Sequence, residues 1–281
     1  MYSAKNAGRN QYQFYKDEMT SEIFEKIMMK QEISDALKNS EFEVYYQPQI
    51  DIKTNTIIGA EALLRWNHKS LGIISPNDFI PHAEETKLII PLGDFVLKSA
   101  CTFMKKLHDQ NLLTDGKIAI NISTIQLKHS DIYSTVIKNL KAANLDPKFV
   151  ELELTETFIM ENIEESVSIL NKLKNIGVQL SIDDFGTGYS SLSYLKQFPI
   201  NKLKIDKSFI SEIPKSQKDI AITKTIIALA KGLGIKVIAE GVERINQRDF
   251  LELENCDEIQ GWFYSKALKE NAFIDFVKNF K

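Results

Sequence analysis

The sequence predicts a TIM-like (β/α)8 barrel whose first strand runs antiparallel to the second. Three observations lead there. Eight short apolar runs alternate with longer amphipathic stretches across residues 41–281. The first two runs are joined only by Asp51–Thr56, too short for a helical crossover, so they should pair antiparallel. Nearly every run is also broken near its C-terminal end by a charged or amide side chain, as strands opening on one mouth would be. An open doubly wound sheet is the competing architecture for the same alternation.

In chain order, residues 1–19 are polar and end in an aromatic cluster, Tyr12, Phe14 and Tyr15, with too little apolar surface to form a unit alone. Residues 20–40 predict a linker helix capped by Thr20 or Ser21, with Ile23, Phe24, Ile27, Met28 and Ile33 as its stripe and an end near Asn39. Strands are expected at Phe42–Gln47, Ile57–Arg65, Ile118–Ser123, Val150–Thr155, Val178–Asp183, Lys202–Ile205, Lys236–Glu240 and Ile259–Phe263. Amphipathic helices are expected at Phe95–Leu107, Ile163–Ile176 and Ile220–Leu233.

Bulk composition narrows the class. The 281 residues are 43% hydrophobic and 26% charged, an ordinary globular balance. A net charge of -3 argues against binding a nucleic-acid polymer. Two cysteines, Cys101 and Cys256, make a disulfide framework an unsuitable reading and fit a reducing compartment. No run approaches the roughly 20 apolar residues of a membrane helix, and Met1 opens no signal-peptide pattern. A cytoplasmic chain is expected, although a longer parent could be membrane-tethered.

Period-two alternation puts Glu61, Leu63 and Arg65 on one strand face, Asn121 with Ala119 and Ser123, and Asp183 with Ser181. Packing the branched aliphatic faces under the helices turns Glu61, Asn121, Glu153, Asp183 and Glu240 inward around one axis, near the C-terminal mouth. Carboxylates in such number cannot all be ionised there without counter-charge, and Lys204 and Arg65 are too few. Oxygen-only donors point to magnesium or manganese. The histidines do not compete: His68, His108 and His129 fall in polar or helical stretches, and none of the four is expected at a strand end. Adjacent Asp183 and Asp184 suit two ions, one carboxylate shared and one private, the arrangement that hydrolyses phosphodiesters. Taken singly, a strand-end acid is more often a helix cap, Lys204 a snorkelling edge residue and Glu243 a solvated helix start. Seven successive strands with a polar break at the same end make those single explanations fail together.

At these residues the chain resembles the EAL-domain family of cyclic di-GMP phosphodiesterases. The signature Glu61-Ala62-Leu63 extends to Arg65-Trp66. It stands in family order with Tyr46-Gln47-Pro48, Phe79-Ile80-Pro81, Asn121-Ile122-Ser123, Glu153-Leu154-Thr155-Glu156, Asp183-Asp184-Phe185-Gly186-Thr187-Gly188, Lys204-Ile205-Asp206, Ala239-Glu240-Gly241-Val242-Glu243 and Gln260-Gly261. The resemblance implies two ions, Mg2+ or Mn2+. Glu61, Asn121, Glu153 and Asp183 would hold the first, and Asp183, Asp184 and Glu240 the second. It implies that Lys204 orients the attacking water, that Gln47, Arg65, Pro81 and Gln260 contact the dinucleotide, and that Glu156 braces the loop after Asp184. The implied product is linear pGpG, and the implied assembly a homodimer through the loop and helix after Asp184. Trp262, Ala267 and His82 depart from the family's usual residues, none at a metal-ligand position.

Residues 1–15 resemble the end of a GGDEF diguanylate-cyclase domain. The expected division is therefore 1–19 as that remnant, 20–40 as linker helix and 41–281 as the barrel, with GGDEF and sensory domains upstream in a parent chain. A catalytically silent cyclic di-GMP receptor is the alternative function, but degenerate members should lack metal ligands or the loop glutamate, and this chain has both. An unrelated magnesium-dependent barrel lyase would leave the motif order unexplained.

Overall fold

A computed structural model describes residues 17–161, 163–187 and 195–280. Its strands are β1 (Phe42–Asp51), β2 (Thr56–His68), β3 (Gly72–Ile74), β4 (Lys117–Ile122), β5 (Val150–Thr155), β6 (Gln179–Phe185), β7 (Lys202–Ile205), β8 (Lys236–Ala239) and β9 (Glu258–Ile259). Eight of them close on themselves in the order β1-β9-β8-β7-β6-β5-β4-β2, with β1 pairing back onto β2 and β3 attached outside. β1 is antiparallel to both its neighbours, β2 and β9, while the pairs from β2–β4 round to β8–β9 are parallel. The expected barrel with an antiparallel first strand is what the chain forms.

Helices α1 (Asp17–Lys38), α2 (Pro76–Glu85), α3 (Ile89–Asp109), α4 (Thr124–His129), α5 (Ile132–Ala143), α6 (Glu156–Glu161), α7 (Ile163–Ile176), α8 (Lys207–Ile210), α9 (Gln217–Leu233), α10 (Ile245–Leu253) and α11 (Glu270–Asn279) accompany the strands. Ile118, Ile120 and Ile122 of β4, Leu152 and Leu154 of β5, and Leu180 and Ile182 of β6 are buried in the main core. They face the helices, which leaves the opposite faces to fill the barrel. A second, smaller cluster forms where α1 and α2 pack, with Ile33, Ala36, Phe42, Trp66 and Phe79. Trp66 lies edge-on to Phe79 at 5.5 Å and donates its indole N–H to Glu41 Oε2 at 3.2 Å.

Four expectations need correction. α1 already runs from Asp17, so Thr20 and Ser21 are inside the helix rather than caps. Its stripe is not buried throughout: Ile27 is 60% and Met28 44% exposed, whereas Met29, Ile33 and Ala36 pack in the cluster shared with α2. The last strand spans two residues, not five, because Gly261 turns the chain against the Val242 backbone, leaving no room for a side chain. β2 extends to His68, which does sit at a strand end; its Nδ1 accepts from the Ser70 and Leu71 amides and closes the turn into β3. Residues 1–16, on which the reading of an upstream-domain remnant rests, lie outside the described residues.

Candidate active site

Inward side chains of a barrel stack in layers drawn from alternate strands. Here Glu61 of β2, Glu153 of β5, Lys204 of β7 and Gln260, just past β9, come from such a set. Asn121, Asp183 and Glu240 come from β4, β6 and the end of β8, which lie between them. The Lys204 ammonium is the hub. Its Nζ is 2.5 Å from Glu153 Oε2, 2.7 Å from Glu240 Oε1, 3.1 Å from Asp183 Oδ1 and 3.7 Å from Glu61 Oε1. Asn121 donates to Glu61 Oε1 at 2.6 Å, and Gln260 donates to Glu61 Oε2 at 2.5 Å. Gln260 also donates to Gln47 Oε1 at 3.2 Å and accepts from Gln49, a residue the strand reading did not single out. Gln47 and Glu61 are register partners across β1 and β2, so their proximity follows from the hairpin.

Consecutive residues of a regular strand point to opposite faces, yet Asp183 and Asp184 both line the mouth. The irregularity in β6–β7 pairing between Ile182 and Phe185 makes this possible. Asp184 takes φ 54°, a left-handed conformation that Asp tolerates, and its amide donates to Asp183 Oδ1 at 2.9 Å. Glu156, buried at the start of α6, accepts from the Gly186 amide at 2.8 Å and so holds the start of the loop that follows. Residues 188–194, and with them the expected dimer contact, lie outside the described residues.

The charges are poorly balanced. Burial, then the neighbouring Glu61, Asp183 and Glu151, raise the Glu153 carboxyl well above the carboxylate range against the pull of Lys204. Burial with Asp183 and Glu61 pushes Glu240 up to about 8. Desolvation with Asp183 and Asp206 brings Asp184 to about 6. Burial alone would raise Glu61, but Lys204 and the bonds from Gln260 and Asn121 hold it below its ordinary value. Lys204 is held protonated: its burial is outweighed by Asp183, Glu153, Glu240 and Glu61.

Divalent cations fit this donor set. All the donors are oxygens, they outnumber the cationic groups, and Glu153 Oε1 is buried without a partner. Among the described residues no three acidic, histidine or cysteine side chains converge at ligand distance; the point of convergence is taken by Lys204.

Beside the ring a cavity of about 390 Å³ runs under α2 and α3. Arg65 lines it, with its guanidinium 5.7 Å from the Tyr45 ring. Pro81 does not. The face of α2 that meets the cavity carries Pro76, Asn77, Ile80 and Glu84, and one further step round the helix leaves Pro81 exposed. Of the residues singled out from sequence, the ring gathers Glu61, Asn121, Glu153, Asp183, Lys204, Glu240, Gln47 and Gln260. Asp184, Arg65 and Glu156 border it, and Pro81 stands apart. Asp206, which bonds to Asp184 and caps α8 through the Ser208 amide, went without a role; its place one residue beyond β7 was the available signal.

The sequence profile of the EAL domain family matches residues 30–267. The chain is 40% identical over 277 residues to the bifunctional diguanylate cyclase/cyclic di-GMP phosphodiesterase MucR of Pseudomonas aeruginosa, covering 99% of this chain and 40% of that one. It is 35% identical over 280 residues to the cyclic di-GMP phosphodiesterase PdeR of Escherichia coli, covering 100% of this chain and 42% of that one. This chain therefore spans about two-fifths of the length of these curated relatives. Among solved structures it is similar to a MucR phosphodiesterase in a c-di-GMP complex, with 39% identity and a TM-score of 0.85 over 88% of this chain and 99% of that one.

Proposed function

The chain belongs to the EAL domain family, and from that premise we propose that it hydrolyses cyclic di-GMP to linear pGpG with two divalent cations, Mg2+ or Mn2+. One observation carries the reading: four carboxylates from different strands meet on the single ammonium of Lys204, with more negative charge than it balances. A relative and a solved neighbour of like sequence are named for cyclic di-GMP hydrolysis or its complex.

Glu61, Asn121, Glu153 and Asp183 would hold one ion, and Asp183, Asp184 and Glu240 the other. When bound, such ions supply positive charge to the phosphate oxygens and ready a water for attack. The water oxygen bonds to phosphorus, the bond to the 3′ oxygen breaks, and a proton passes to that oxygen. Lys204, held protonated, donates to the attacking water or to charge developing at phosphorus and is no base. Arg65, resting on Tyr45, meets a phosphate from the cavity side. Gln47 and Gln260, the latter bonded to both Gln47 and Glu61, offer amides to the dinucleotide. Glu156 keeps the Asp183-Asp184 turn in place through Gly186.

On the same reading the chain is the phosphodiesterase part of a longer signalling protein, with residues 1–19 closing a GGDEF domain, 20–40 linking and 41–281 forming the barrel. The bifunctional name of one relative supports it. A homodimer through the loop and helix after Asp184 belongs to the same proposal. The test is incubation with cyclic di-GMP in Mg2+ or Mn2+, with the product identified by chromatography against pGpG. Linear product supports the reading. Tight binding without turnover, with metal present and the protein folded, would replace it with the silent receptor.

A further inference from the structure

Beneath the carboxylate ring lies a second charged layer that none of the site's chemistry uses. Lys202 is 4% exposed, and its Nζ is 2.8 Å from Glu151 Oε2 and 2.7 Å from Glu258 Oε2. Glu151 and Glu258 are 1% and 2% exposed. Lys236, half out in solvent, joins from below at 2.9 Å from Glu258 Oε1. The half-buried Lys117 adds further positive charge near both glutamates. This layer therefore carries its own counter-charge, unlike the ring above it.

Each member of the triad sits two residues before a ring residue along the chain. Glu151 precedes Glu153 on β5, Lys202 precedes Lys204 on β7, and Glu258 on β9 precedes Gln260. Two strand residues are about 6.6 Å, one barrel layer. β5, β7 and β9 are not neighbours: β6 and β8 separate them, so the backbone ladder fixes their relative positions only at second hand. The triad ties the three strands directly, across the barrel interior. A buried ion cluster is a poor source of stability compared with apolar packing of the same volume, but it fixes geometry between the groups it joins.

We propose that Glu151, Lys202 and Glu258 are positioning residues, a cross-brace that sets where Glu153, Lys204 and Gln260 stand in the ring. The inference rests on the proposed phosphodiesterase reading for its kinetic part. The brace acts on each end differently. Loosening the β5 end shifts Glu153, a proposed metal donor, against Lys204. Loosening the β9 end shifts Gln260, a proposed contact to the dinucleotide.

The experiment measures kcat and KM for cyclic di-GMP in Mg2+, Mn2+ affinity by counting free Mn2+ in electron paramagnetic resonance, and thermal melting, on wild type, Glu151→Gln and Glu258→Gln. Supporting partners of metal ligands are worth about 10- to 100-fold in affinity or activity. Glu151→Gln should therefore lower kcat about tenfold and weaken Mn2+ binding by at least severalfold with KM little changed. Glu258→Gln should mainly raise KM. Folded variants with wild-type kcat, KM and Mn2+ affinity, altered only in melting temperature, would reduce the triad to a stability element and overturn the proposal. If Glu151→Gln does not fold, Glu151→Asp, which keeps the charge but shortens its reach, carries the same expectation. If wild type does not cleave cyclic di-GMP, the activity reading fails, and Mn2+ affinity alone decides the brace: weaker binding in the Glu151 variant supports it and equal binding refutes it.

Discussion

The Lys204 ammonium touches four carboxylates, and its surroundings set how the site answers to substitution and to pH. Removing one partner of a buried charge cluster leaves the rest uncompensated, at about 3–5 kcal/mol. Lys204→Met should therefore abolish cleavage and lower the melting temperature sharply in chelator, and added Mn2+ should recover much of the melting loss but none of the turnover. A variant that melts as wild type in chelator would contradict the hub role. The pH dependence has a definite sign. Glu240 and Asp184 have folded-state pKa values raised from 4.5 to about 8 and from 3.8 to about 6, and Glu153 is raised too. The folded protein then holds protons that the unfolded chain has released, so stability falls as pH rises across that window. Urea unfolding in chelator should show the decline from pH 5 to 8, and saturating Mn2+ should flatten it; a metal-free stability that rises over this range would refute the assignment. The residues of the ring were legible because polar side chains interrupt apolar strands. The Lys202 triad was not, because Glu151 reads simply as another charge on the Glu153 face until the fold supplies its partner from β7.

Strands and loops carry these residues to the mouth, and tight backbone contacts hold them there. On β2, a Cβ on Gly59 would lie 2.4 Å from the Lys117 carbonyl of β4. Gly59→Ala should cost about 1–3 kcal/mol in urea unfolding through backbone displacement, and by moving β2 should also reduce cleavage through Glu61. At the far side, Glu156→Ala frees the Gly186 amide and should cut kcat about tenfold or more with little change in melting temperature; unchanged turnover would remove Glu156 from the machinery. Elements were read from sequence wherever period and length agreed. Helix Ile163–Ile176 and strand Val150–Thr155 have the expected bounds. β9 does not, because a two-residue strand has no alternation to read, and β3 leaves no signal, because exposed Leu71 and Ile73 show no buried face.

As a whole the molecule is a barrel closed by one antiparallel strand, with aliphatic residues outward under the helices and charge stacked inside. The lower charged layer is neutralised by the chain's own lysines, and the upper one gathers four carboxylates on a single lysine. Ligands that bind only the folded state stabilise it by about 2.7 kcal/mol at a hundredfold excess over Kd. Adding Mg2+ or Mn2+ to the chelated protein should thus raise its melting temperature by several degrees, and Glu61→Ala should blunt that rise. The barrel itself followed from alternation and from the short β1–β2 connection, since parallel strands need a crossover that Asp51–Thr56 cannot supply. The most direct test compares wild type with Glu61→Ala for both cyclic di-GMP cleavage and cyclic di-GMP binding in Mn2+. Loss of cleavage with binding partly retained is the expected result; cleavage at the wild-type rate would contradict the carboxylate ring as the catalytic centre.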